Sequence, residues 1–165
     1  VMYVDNRTIQ YYGHIVELVK TADSIKMETV SILDKLMVFS IRHRTSKEEI
    51  LSFDGKTCLV YAIKNGMVGK SSVANNSIGD VTIEGSFATG QFISNGNKTP
   101  LYFQFYKEED LWKIDLTSLF PMTATAFKKM ATDSGQNEND YLFSLLEMIT
   151  GTKPSINIWQ PVRKQ

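Results

Sequence analysis

Asp115 sits inside LYFQFYKEEDLWKIDLTSLF, residues 101–120, one of the most apolar stretches of the chain. A carboxyl group sunk among aromatic rings has its charged form penalised, and an acid tuned in this way can move protons in catalysis. The other side chains able to carry protons are Tyr11, Tyr12, His14, Asp34 and His43. The run Arg42-His43-Arg44 offers guanidinium groups, which pair well with phosphate or carboxylate. His14 and His43 are the only histidines and Cys58 the only cysteine, so no metal-ligand spacing exists and neither metal nor cofactor is expected. Ser71 and Ser72 follow GMVGK without the glycine spacing of a phosphate loop, and no nucleophile elbow or dinucleotide fingerprint occurs.

Each of these groups also has a plain structural reading. Tyr11 and Tyr12 fall on the apolar stripe of a helix with Ile15, Val16, Leu18, Val19 and Ala22. His14 shares the polar stripe with Gln10 and Glu17, and Asp34 falls on an exposed helical face. Arg42, His43 and Arg44 end a helix, where positive charge suits the dipole. These readings are the ones adopted, and no catalytic residue is expected.

The elements that position these residues follow from period and punctuation. Helices are predicted over Thr8–Asp23 and about Ile25–Arg42, with a short one capped by Ser46 and Glu49 and running through Ser52. The β-branched and aromatic residues of DGKTCLVYAIKNG suit a strand, but Asp54 can cap a helix that Gly66 closes, and the helix is the favoured reading of the two; residues 68–79 read as a loop. From Asp80 to Leu116 the period changes to two. VTIEGSFATGQFIS, PLYFQFY and LWKIDL become strands, joined by the tight turns NGNK and KEED. Thr123 and Asn137 open two further helices, which Gly135 and Gly151 end, and INIWQPV is an extended tail.

Register decides how Asp115 is placed. With Glu108 and Glu109 as the turn, Phe105 faces Trp112, Phe103 faces Ile114 and Leu101 faces Leu116; a slip by one residue would set apolar against charged side chains. Across NGNK, Phe92 meets Leu101, Gly90 meets Phe103 and Ala88 meets Phe105. One face of the sheet is then apolar, and the other carries Thr89, Gln91, Tyr102, Gln104, Lys113, Asp115 and Thr117. That division suits an antiparallel sheet covered by helices on one side. Asp115 becomes an ionised carboxylate on the wet face, opposite Tyr102.

Two N-terminal helices, a connecting segment and an antiparallel meander ending in LWKIDL resemble the nuclear transport factor 2-like (cystatin-like cone) superfamily. The hydrophobic strand, charged turn and W-K-I-D-L ending is similar to the last hairpin of many bacterial members. The resemblance covers roughly Thr8 to Leu116. It implies an α+β fold in which a curved antiparallel sheet wraps on the N-terminal helices as a cone with a cavity. The chain then reads as one domain, 1–165, with 121–165 a helical extension of two helices. In some members, such as ketosteroid isomerase and scytalone dehydratase, that cavity does acid-base chemistry, while others bind partners or dimerise through the sheet.

Length and composition bound the choice. At 165 residues, 42% of them apolar, the chain can bury a core, and eighteen basic residues balance eighteen acidic ones. No global field draws it to nucleic acid. No apolar run approaches about 18 residues, so no membrane span is expected. A soluble protein is expected, cytoplasmic or, since the chain opens on Val1, exported with an upstream segment removed. The expected function is a non-catalytic binding or interaction domain. Its cone would hold a small apolar ligand against Tyr12, Ala88, Gly90, Phe92, Phe103, Phe105 and Trp112, the small residues leaving space. Its polar sheet face, with Gln91, Tyr102, Gln104, Lys113 and Asp115, would pair with a second copy as a homodimer. The alternative is an isomerase, dehydratase or cyclase using acid-base groups from the helices.

Overall fold

Residues 2–67 and 75–162 are described by this computed structural model, and from them are built seven α-helices and a curved, unclosed four-stranded antiparallel sheet. The fold is α+β, with helices before the sheet and two more after it. The GMVGK-Ser-Ser motif and most of the loop expected over 68–79 lie outside the described residues. No helix among the described residues is long and apolar enough to cross a membrane. Two compact units are distinguished: Val1–Gly13 with Asp54–Phe120, and His14–Phe53 with Pro121–Gln165.

The first unit holds the sheet. Helix α1 (Asn6–Thr21) begins here, after Asp5, whose carboxylate accepts the Thr8 N–H at 3.0 Å. Helix α5 (Gly55–Lys64) forms as the capping pattern predicts. Asp54 accepts the Thr57 N–H at 2.7 Å while the Thr57 hydroxyl takes the Asp54 N–H at 2.8 Å, and Cys58, Leu59 and Ala62 are buried.

Strand order is β1-β2-β3-β4. The stretch 81–94, expected as one strand, is a hairpin of β1 (Asn76–Glu84) and β2 (Phe87–Ser94). The chain reverses at Gly85, whose φ of 61° a side chain would resist. A second turn at Asn95-Gly96, both with positive φ, leads to β3 (Asn97–Glu108), and Ala88–Phe105 and Gly90–Phe103 pair as expected.

The turn into β4 (Leu111–Asp115) is Glu109-Asp110 rather than Glu108-Glu109. Both turn residues have positive φ, which aspartate tolerates well. The register therefore moves by two: Phe105 pairs with Ile114, Lys107 with Trp112, and Gln104 with Asp115. A shift of two leaves the side chains of Leu111–Asp115 on their expected faces, while Leu116 and Thr117, expected in the strand, lie in the 3₁₀ turn Leu116–Leu119.

The second unit is helical. Its expected helix 25–42 is two helices, α2 (Ser24–Glu28) and α3 (Ile32–Arg44). The break comes at Ser31, whose hydroxyl accepts the Asp34 N–H and so starts a new helix. Helix α4 (Lys47–Ser52) is capped by Ser46 as expected. Helix α6 (Phe120–Asp133) starts before Thr123, with Pro121 in its first turn, where a missing N–H costs nothing. Helix α7 (Glu138–Thr150) runs from an Asn137 cap to Gly151 in the left-handed conformation. The tail is not extended: Ser155 caps a 3₁₀ turn over Ile156–Trp159. That turn sets Trp159 edge-on to Phe39, with centroids 4.8 Å apart.

Two charged residues belong to this unit's framework. Lys35, 4% exposed, meets Glu28 at 3.1 Å, Glu138 at 3.2 Å and the Asn139 side chain at 3.1 Å. Arg42 donates to four backbone carbonyls: Leu18 at 2.9 Å, Val19 at 3.1 Å, Ala22 at 2.6 Å and Ile158 at 2.8 Å.

Candidate binding surfaces of the sheet unit

Asp115 is not on a wet surface. It is 4% exposed, pairs across the ladder with Gln104 rather than Tyr102, and caps the 3₁₀ turn Leu116–Leu119. Its Oδ1 accepts the Thr117 N–H at 2.8 Å and the Thr117 hydroxyl at 2.6 Å. Burial of this carboxylate is tolerated because these donors replace water.

The cover comes from the N-terminal segment. Val4 bridges in parallel to Ile114, the Asp5 N–H donates to the Ile114 carbonyl at 3.0 Å, and the Ile114 N–H donates to the Tyr3 carbonyl at 2.9 Å. The Leu116 N–H reaches the Thr8 hydroxyl at 3.0 Å, and the Arg7 guanidinium lies 3.5 Å from the centre of the Tyr106 ring. Arg7 also meets Asp5 at 3.2 Å; that hydrogen bond, first among several causes, raises its pKa. Glu108 accepts the Asn6 N–H at 3.2 Å, where the helix dipole favours an anion. Its Oε2 has no hydrogen bond among the described residues and faces Lys113 Nζ at 3.2 Å. Asp5, Glu108 and Asp115 are thus spent on helix ends and local cations.

The five residues expected at a polar interface have different fates. Gln91 donates to the Thr99 carbonyl at 3.4 Å, Gln104 accepts from the Tyr106 hydroxyl at 3.2 Å, Lys113 is held by Glu108, and Asp115 is buried. Tyr102 stands out, 48% exposed.

The apolar face gathers its expected members in part. Ala88 and Gly90 are buried, Phe92, Phe103, Phe105 and Trp112 are half-buried, and Phe92 meets Phe103 edge-on at 5.1 Å. The space expected beside Gly90 is filled. A Cβ there would lie 2.5 Å from Ile78 Cγ2 and 3.2 Å from Phe105 Cε2. Ile78, Val81 and Ile83 pair with Phe92, Gly90 and Ala88, so they share this face, yet they are 48–61% exposed. Sequence reasoning missed them by reading 81–94 as one strand and Ile78 as loop; Gly85, where the chain reverses, was the available signal.

Tyr12 is 1% exposed, and burial, with Cys58 adding to it, pushes its phenol well above the ordinary value. Above about pH 10 an unfolded chain ionises this tyrosine while the folded chain does not, so stability falls as pH rises there. Tyr12→Phe is expected to lose less of its urea midpoint than wild type between about pH 9 and about pH 11. Equal losses in the two proteins would refute this.

The helix-borne candidates lie mostly in the helical unit and are engaged locally. Asp34 accepts from the Ser31 hydroxyl at 2.8 Å, and His43 Nε2 lies 3.1 Å from the hydroxyls of Thr150 and Thr152. His14 is exposed. Arg42, read from the sequence as a basic helix end, has its guanidinium committed to carbonyls; burial lowers its pKa to about 10, still charged at neutral pH. Among the described residues, no group of three His, Cys, Asp or Glu is placed to hold a metal ion. No protein-family model matches the chain, nor does any curated protein or solved structure.

Proposed function

We propose that this chain is a non-catalytic interaction domain of nuclear transport factor 2-like build that pairs with a second copy through its sheet. The order of elements, helices before an antiparallel meander closing in the W-K-I-D-L hairpin, supports that kinship. The observation that carries the pairing is the ridge of Ile78, Val81 and Ile83. These β-branched side chains stand about half exposed on β1, which among the described residues is an edge strand paired only with β2. An aliphatic ridge is complementary to itself across a two-fold axis, and equal numbers of acidic and basic residues leave no net charge to oppose association. The acid-base alternative has less support, since Asp34 and His43 are engaged locally and Tyr12 is a buried, strongly neutral phenol.

Sedimentation equilibrium at micromolar concentration tests the pairing. Wild type is expected above the monomer mass of 18.7 kDa. Ile83→Glu should return it to monomer with stability unchanged within about 0.5 kcal/mol, because Ile83 is 61% exposed. A wild-type protein that stays at 18.7 kDa sinks the proposal.

A further inference from the structure

In the sheet unit a groove of about 430 Å³ opens beside the N-terminal segment, the first turns of α1 and α5, and the β3–β4 hairpin tip. That volume falls in the range of small-molecule sites. Its apolar lining is Met2, Val4, Ile9 and Leu111. Val4 is fixed there by its bridge to Ile114. Two lysines, Lys56 and Lys113, join the same lining. Lys113 is committed to Glu108 at 3.2 Å, whereas Lys56 makes no ion pair among the described residues.

We infer that this groove binds a single-chain amphiphile, an alkyl carboxylate, with its chain on Val4, Ile9 and Leu111 and its headgroup at Lys56. An apolar floor excludes small hydrated anions as the preferred ligand, because they forgo the gain from buried hydrocarbon. Glu109 shares the lining and opposes a doubly charged headgroup more than a singly charged one, so a carboxylate fits better than a phosphate monoester. Each methylene placed on the floor should tighten binding about fourfold.

The test is a methyl-resolved NMR titration of the whole protein with octanoate, decanoate and decanol, each below its aggregation concentration. Decanoate is expected to saturate at one per chain, to bind roughly sixteenfold tighter than octanoate, and to shift Val4, Ile9 and Leu111. Lys56→Glu should weaken both acids about tenfold and leave decanol unchanged, since it removes the cation and adds a like charge. The inference is overturned if no saturable shift occurs at these methyls, if Lys56→Glu binds decanoate as wild type does, or if the shifts fall on Ile78, Val81 and Ile83 instead. Pairing of two copies through that ridge is a separate matter, and neither result bears on the other.

Discussion

Arg42→Ala is expected to lower the unfolding free energy by about 3–5 kcal/mol, the scale of two charge-assisted hydrogen bonds lost at about 1.5–3 kcal/mol each. Three of the four carbonyls it serves, those of Leu18, Val19 and Ala22, lie at the C-terminal end of α1, where a helix runs out of its own donors. The fourth, at Ile158, ties in the 3₁₀ turn of the tail. No carboxylate is among these four acceptors; the negative end of the α1 dipole supplies the complementary field. Alanine would strand the Ala22 and Ile158 carbonyls, whereas the Leu18 carbonyl keeps the Ala22 N–H at 2.9 Å and the Val19 carbonyl the Val162 N–H at 3.4 Å. Arg42→Lys should recover less than half of the loss, because one ammonium cannot span a planar fork of acceptors. Urea midpoints of the three proteins decide it, and an alanine variant within about 1 kcal/mol of wild type would show that water replaces the guanidinium at little cost.

The second large effect is expected from the smallest possible change, Gly55→Ala. A Cβ at Gly55 would run into the Ile9 carbonyl oxygen and lie 2.8 Å from the Gly13 nitrogen. Both are backbone atoms of α1, so no rotamer change can relieve the contact, and α5 must move off α1. Overpacking of this kind costs about 1–3 kcal/mol, occasionally more, and the upper end applies where backbone is struck. Alanine's better helix propensity, worth up to about 1 kcal/mol, pulls the other way and is outweighed. Gly13 is a useful control, since a Cβ there meets nothing within 4 Å. Gly13→Ala should therefore be neutral or stabilising, and thermal unfolding that ranks it below Gly55→Ala would contradict the packing described.

What was legible in the sequence was mostly local. The caps at Ser46, Asp54 and Asn137 and the left-handed stop at Gly151 depend on residues a few positions apart, and each forms as read. The division of β2, β3 and β4 into two faces was legible because alternation has a period of two. For the same reason the β3–β4 turn was not: a shift of two keeps every face, so hydrophobic pattern cannot separate Glu108-Glu109 from Glu109-Asp110. The burial of Asp115 was beyond reach because it depends on Tyr3–Thr8 docking on β4, more than a hundred positions away in sequence. Arg42 was misjudged similarly. A basic run at a helix end looks solvated until the carbonyls of another helix are brought to it.

The division of the chain into units also orders the events of its synthesis. Residues 14–53 belong with 121–165, while 1–13 belong with 54–120. A ribosome therefore delivers everything the sheet unit needs before the partner of residues 14–53 exists. The Phe39 ring must wait through the synthesis of the whole sheet for Phe143 of α7 and for Trp159. Exposed apolar surface of that kind is what chaperones bind. We predict a vectorial order in which the sheet closes first around an N-terminal stretch already made, and the helical unit last. A chain ended at Phe120 should then protect 76–120 from protease while 14–53 is cleaved; protection of both segments would show that residues 14–53 need no C-terminal partner to fold.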